Sequence, residues 1–341
     1  METAIQPLRG VNLGGWLVLE KWMTPRLFEG TTAEDEYTFM QTPGAGQKID
    51  QHRKTFITEA DFAWLAKQGL NAVRVPVGYW LFGDAAPYVS AVEYLDFAVA
   101  MAKKYHLKVL ICLHGAEGSQ SGQHHTGKIG RAEWLKWPAY RERTVTLLAK
   151  IADRYRNEET VWGLELLNEP KIGLFQWKVR RFMYRAYAEI IKVARPGLYI
   201  VFHDGFTPRL MSGALIRQPD FPVVMDVHWY QFASLIEKFE SLAGYFRRVA
   251  RRPKLLRRLQ RRQPVIVGEW SVVLSGIILR GRPKQREEEA FIRHGQLQLA
   301  AYQEALGWFY WTYKTEGRGI WHFRSLVEDG ILSLDNRSKV V

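Results

Sequence analysis

Eight short runs along the chain are almost wholly apolar and rich in β-branched residues: Leu8–Leu13, Ala72–Val77, Lys108–Leu113, Val161–Leu167, Leu198–Phe202, Val223–His228, Pro264–Gly268 and Gly307–Trp311. A half-exposed strand alternates apolar and polar positions. Near-continuous apolar runs instead predict strands covered on both faces, as in a parallel sheet. Between most of the runs lie segments whose apolar residues recur every three or four positions: Thr58–Gln68, Ala91–Tyr105, Trp134–Arg156, Phe175–Arg195 and Gln285–Ala305. That spacing predicts amphipathic helices. Strand alternating with helix is the α/β pattern, and eight strands favour a closed barrel over an open sheet. No linker or low-complexity tract interrupts the pattern. The expectation is a (β/α)₈ TIM barrel forming a single domain over residues 1–341.

Composition refines this picture in three places. The 341 residues fit one large α/β barrel, and 47% of them are hydrophobic, enough for a sizeable core. The 13 Trp, 15 Tyr and 17 Phe are a heavy aromatic load; most belong to packing, but sugars also offer apolar C–H faces to rings. A single cysteine, Cys112, excludes an intrachain disulfide and reads as a small buried hydrophobe. The start, METAIQPLRG, shows no basic segment followed by an apolar one, so the expectation is a cytoplasmic protein, or a secreted one whose signal has been removed.

A barrel of this kind places its chemistry at the C-terminal ends of the strands. Polar or aromatic groups recur there: Arg74 in NAVRVPVG, His114 after VLICL, Asn168-Glu169 after LELL, His228 and Tyr230 after VMDV, Glu269 after VIVG, and Trp311 in GWFYW. Two carboxyls facing one mouth suit glycosidic cleavage. One protonates the leaving oxygen, and the other stabilises or attacks the anomeric carbon from the opposite face. In this scheme Glu269 is ionised, and the neighbouring negative charge keeps Glu169 protonated until it donates. Glu165, four residues before Glu169 and so on the same side of the strand, reads as a deeper structural group paired with Arg74.

These residues, in this order and in these contexts, resemble the active-site set of glycoside hydrolase family 5. The segments RGVNLGGWLVLEKWMTP, GAEGSQSG and VGEWSVVL further resemble its exo-β-1,3-glucanase branch. The resemblance implies Glu169 as acid/base and Glu269 as nucleophile. It implies Asn168 on the sugar 2-hydroxyl, Tyr230 donating to the nucleophile, and His228 and Arg74 orienting the glutamates. His114 would line the subsite at the scissile bond, Trp311 the floor beneath the glucose ring, and Glu20 the closed end of an exo-acting pocket. The implied function is a retaining β-glycosidase, an exo-β-1,3-glucanase with transglycosylation when an acceptor sugar outcompetes water. The alternatives are the same chemistry on β-1,4-glucan or a glucosylated lipid, and a catalytically silent carbohydrate-binding barrel. Two departures bear on specificity: Lys21 stands where the branch has proline, and Gln123-His124-His125 replace aromatic and acidic groups. Adjacent histidines without acidic or cysteine ligands at ordinary spacing make a poor metal site, so neither metal nor cofactor is expected.

Charge adds one feature. Of the net charge of +13, nine basic residues fall between Tyr245 and Arg262 with no acidic residue among them. This stretch, 245–262, predicts a helix or a pair of short helices broken by Pro253. Its reading is a solvated cationic face, or contact with an anionic membrane or envelope polymer. A nucleic-acid partner is not expected, because stacking aromatics stand only at the edge of the stretch.

Overall fold

The computed structural model describes residues 6–215, 218–230 and 240–334. Its eight strands are β1 (Leu8–Asn12), β2 (Ala72–Gly78), β3 (Lys108–Gly115), β4 (Val161–Glu165), β5 (Tyr199–His203), β6 (Val223–Trp229), β7 (Val265–Trp270) and β8 (Gly307–Tyr310). Each pairs in parallel with its sequence neighbours, and β1 pairs with β8, so the sheet closes into the expected barrel. The five anticipated helices appear as Glu59–Lys67, Val92–Lys104, Pro138–Arg154, Gln176–Ile190 and Lys284–Tyr302. The basic stretch folds as two helices, Leu242–Ala250 and Arg252–Leu259. Pro253 sits in the first turn of the second, where its missing N–H costs nothing.

The barrel interior is layered. One residue from every strand — Leu8, Ala72, Leu110, Trp162, Val201, Val224, Ile266 and Phe309 — forms an apolar plug. Because side chains alternate along a strand, residues two positions further on also point inward, and three of these are polar, Arg74, His203 and Asp226, with Cys112 beside them. Glu165 joins them because β4 slips by one position against β3, pairing Gly163 with Leu110 and Glu165 with Cys112. The opposite faces of the strands, such as Val73, Val75, Ile111, Leu164, Met225 and Val267, pack under the helices in the main core. The apolar plug therefore ends abruptly in a buried charged layer, and the C-terminal mouth of the barrel rests on that layer.

A second slip aims the site. The β6–β7 register shifts between Val227 and His228, so that His228 lies opposite Glu269. Bulges of this kind redirect a side chain at the rim of a barrel. Gly268 makes it fit: a Cβ there would lie 1.9 Å from Asp226 Oδ2, and the Gly268 N–H donates to Asp226 Oδ1 at 2.6 Å.

Candidate active site

Arg74 is the hub. Its side chain is fully buried, which is tolerable for a guanidinium only when every N–H finds an acceptor. Nε and Nη2 donate to the two oxygens of Glu165 at 2.8 and 3.1 Å, the pairing expected from the strand alternation. Nη1 donates to Asn12 Oδ1 at 2.7 Å and to Glu269 Oε1 at 2.9 Å. Nη2 also donates to Asn168 Oδ1 at 2.8 Å. Since arginine can only donate, the Asn168 amide oxygen must face it, and the Asn168 NH₂ is left as a donor for another partner.

Glu269, at the end of β7, is held from both sides. Its second oxygen accepts from the Tyr230 hydroxyl at 2.7 Å. Glu169 follows β4, and its backbone lies in the left-handed region at φ 40°. That conformation costs a non-glycine residue about 1–2 kcal/mol. The surrounding turn fixes it: Asn168 N–H donates to Leu113 O, and the Gln120 amide donates to both His114 O and Asn168 O. The Glu169 carboxylate accepts from His228 Nδ1 at 2.7 Å. The same nitrogen is 3.6 Å from Glu269 Oε2. One imidazole thus stands between the two carboxylates, and their nearest oxygens are no farther apart than those two distances laid end to end.

The protonation pattern departs from the simple division expected from the sequence. Burial pushes the Glu269 carboxyl up to about 7, against the pull of His228 and Arg74. Burial would raise Glu169 too, but the hydrogen bond and charge of His228, helped by His125 and His203, hold it below the ordinary carboxylate range. His228 is itself driven well above its usual value: burial opposes its charge, but Glu269, Asp226 and Glu169 outweigh burial. With His228 driven up and Glu169 held down, these directions favour the proton on the His228 side of the 2.7 Å bond.

The remaining predicted residues gather on the other side of the mouth. His114 and Trp311 stack with ring centroids 5.3 Å apart and planes 6° from parallel. Burial keeps His114 neutral, its pKa well below normal. Glu20 Oε2 accepts from Trp22 Nε1 and faces His124 Nε2, both at 2.8 Å. His125 Nε2 meets Ser121 Oγ at 2.9 Å and lies 3.9 Å from Glu169 Oε2. The His124–His125 pair thus enters the site as polar lining that links Glu20 to Glu169. Trp22 and Trp321 meet edge to face at 5.4 Å, and Trp321 continues to the Tyr230 ring at 6.1 Å.

Sequence reading passed over Asp226, His203, Trp22 and Trp321. Asp226 had a signal, an acid two positions before His228 in an apolar strand, and so on the same face. Its Oδ2 is 3.4 Å from His228 Nε2 and 3.9 Å from Arg74 Nε. Two sets of ligand atoms, Glu169/His203/His228 and Glu165/Asp226/His228, each converge within 4.8 Å. They share His228, and Arg74 already neutralises Glu165. A metal ion in the second set would sit against a guanidinium, so the arrangement fits an ion-pair network better than a metal centre.

Two glutamates and a histidine at the C-terminal mouth of a (β/α)₈ barrel, with aromatic rings on either side, define a glycosidase. The chain belongs to glycoside hydrolase family 5, matching the family described as Cellulase (glycosyl hydrolase family 5) over residues 34–317. It is 36% identical to "Probable glucan 1,3-beta-glucosidase A" of Emericella nidulans, over 96% of this chain and 90% of that one. It is 33% identical to "Glucan 1,3-beta-glucosidase" of Kluyveromyces lactis, over 95% and 88%. In fold it is similar to the rutinosidase from Aspergillus niger (TM-score 0.81, 20% identity, 95% and 97% covered). The fold also resembles endoglucanase Cel5A from Thermotoga maritima (TM-score 0.59, 17% identity, 90% and 89% covered).

Proposed function

We propose that this protein is a retaining exo-acting β-1,3-glucosidase in which Glu269 attacks the anomeric carbon and Glu169 serves as acid, then base. The observation that carries this reading is the placement of His228 Nδ1, 2.7 Å from Glu169 and 3.6 Å from Glu269. Both carboxylates reach one imidazole nitrogen, which supports the short spacing of retaining enzymes over the roughly 6.5–9.5 Å between carboxyl groups that inverting enzymes reserve for a water. The names of the fungal relatives support the linkage.

The steps follow from the contacts. Glucose lies over Trp311 beside His114, with its far hydroxyls on Glu20 and His124. Asn168 presents its free NH₂ to the 2-hydroxyl. Glu269, steered by Arg74 and Tyr230, attacks, and the glycosidic C–O bond breaks. The departing oxygen takes the proton from Glu169, which draws it across the short bond from His228. Once Glu269 is esterified its charge is gone, and Glu169 deprotonates a water or a sugar hydroxyl that displaces it. The basic stretch 245–262 is read as facing an anionic partner, peripheral to the catalytic pair.

The test is product analysis on laminari-oligosaccharides by NMR from the first minute, with Glu169→Ala and Glu269→Ala alongside. Expected are β-glucose released one unit at a time and loss of turnover in both variants. Cleavage of other β-glucosides but not of these would remove the linkage assignment. α-Glucose as first product would remove retention, and no turnover of any β-glycoside would leave a binding barrel.

A further inference from the structure

A groove of about 970 Å³ runs outward from the catalytic centre between the segment after β5 and the basic helices. His228 and Tyr230, which touch the two carboxylates, line its inner end. Its position in the ring of strands defines what it holds. Glu20, His114 and Trp311 stand after β1, at the end of β3 and after β8, whereas the groove lies beyond β5 and β6, across the mouth. A glucose seated among the first set directs its leaving group into the groove.

The walls are strongly cationic. Arg209, Arg251, Lys254 and Arg258 line the groove and are exposed. None of the four forms an ion pair with a carboxylate among the described residues. Some other surface cations do meet carboxylates, as in Lys104–Glu59, Arg143–Glu117 and Arg154–Asp96; these four meet none among the described residues, and the fold gathers them on one concave wall. Two neighbouring cations of the stretch are already committed: Arg248 pairs with Glu240, and Arg252 lies over Trp229, 4.7 Å from the ring centroid. The one acid in the described lining is Asp204, and it accepts the Phe206 N–H. Like charges on one concave wall repel each other and focus a positive potential into the cavity. At the rim, the half-exposed Phe206 ring offers a stacking face.

We propose that this groove is a leaving-group subsite for a β-glucoside whose aglycone is a ring bearing a phosphate. The ring packs on Phe206 and the phosphate reaches Arg251, Lys254 and Arg258. The assignment rests on the glycosidase reading for its orientation. It specifies the substrate class that reading leaves open, and it gives a defined task to part of the basic stretch.

The test compares phenyl β-glucoside with its para-phosphorylated counterpart, on the wild type and on Lys254→Gln/Arg258→Gln, in low and high salt. The wild type should favour the phosphorylated substrate about tenfold in kcat/KM through KM, the scale of a few charge-assisted contacts at partly exposed cations. High salt should erase the preference. The double variant should lose it while keeping its rate on the neutral substrate, which also certifies its fold. Equal KM values in the wild type, or a preference that survives the double substitution, would overturn the proposal. Calorimetric binding of both glucosides separates the two readings: tighter wild-type binding of the phosphorylated compound without turnover keeps the groove and removes the hydrolase. Phosphatidylglycerol vesicles added as competitor locate the phosphate. Competition that the variant loses assigns it to a lipid headgroup, and absence of competition assigns it to a soluble glucoside; either supports an anion subsite.

Discussion

Replacing Tyr230 by phenylalanine removes one hydroxyl and nothing else from the site, so its effect follows from the charge it serves. That hydroxyl donates to Glu269 Oε2 at 2.7 Å, and it helps hold down a carboxyl that burial has pushed up to about 7. A hydrogen bond to an ionised group contributes about 1.5–3 kcal/mol, which corresponds to about one to two pKa units. The sign follows from the proposed mechanism: there attack requires ionised Glu269, so kcat/KM falls as pH drops through its pKa. Tyr230→Phe moves that acid limb upward, to about 8–9. At pH 7 the ionised fraction then falls from about one half to between roughly 10% and 1%, a loss of about 5- to 50-fold that largely disappears by pH 9.5. The assay is the pH profile of kcat/KM on 2,4-dinitrophenyl β-glucoside. Its leaving group needs no proton, so the state of Glu169 and His228 does not intrude. An acid limb that stays put or moves down, or a loss equal at every pH, would refute the reasoning.

Two further substitutions probe the frame beneath the site. Arg74→Met leaves Glu165 and Glu269 buried without their cation and should cost about 3–5 kcal/mol in urea unfolding; a change below about 1 kcal/mol would mean that Arg74 is not the structural hub. Gly268→Ala drives a Cβ into Asp226 Oδ2, at 1.9 Å. The backbone of β7 must move, and kcat should fall at least about tenfold, because a displacement of about 1 Å at a catalytic group is that costly or more. Unchanged kcat would show that the slip between β6 and β7 tolerates relaxation.

All eight strands were legible to within a few residues because both of their faces are buried. A strand such as Val109-Leu110-Ile111 lies among side chains on every side, so apolarity is continuous and its boundaries are sharp. The short helices were not legible. Glu36–Phe39 and Pro208–Met211 are single turns, too short to show a period, and Ala45–Phe56 buries only Ala45, Ile49 and Arg53, so its apolar stripe is thin. The same distinction divides the site. Residues at strand ends, such as Glu169, Glu269 and Tyr230, could be placed by counting from an apolar run. Trp22, His124 and Trp321 sit on loops whose course depends on distant partners, and no local pattern encodes that His124 meets Glu20. The proton's position was also out of reach, since it depends on three titrating groups contributed by three strands.

The contacts of Arg74 carry a consequence for how this enzyme comes into being. From β2 the guanidinium gathers groups from β1, β4 and β7, including one partner 195 residues away in the chain. Glu169 and Glu269 fall in opposite halves of the sequence, and their shared imidazole belongs to the second half. With these three groups in their proposed roles, neither half of the barrel carries the complete set, and the emerging polypeptide acquires it only when its two halves have come together.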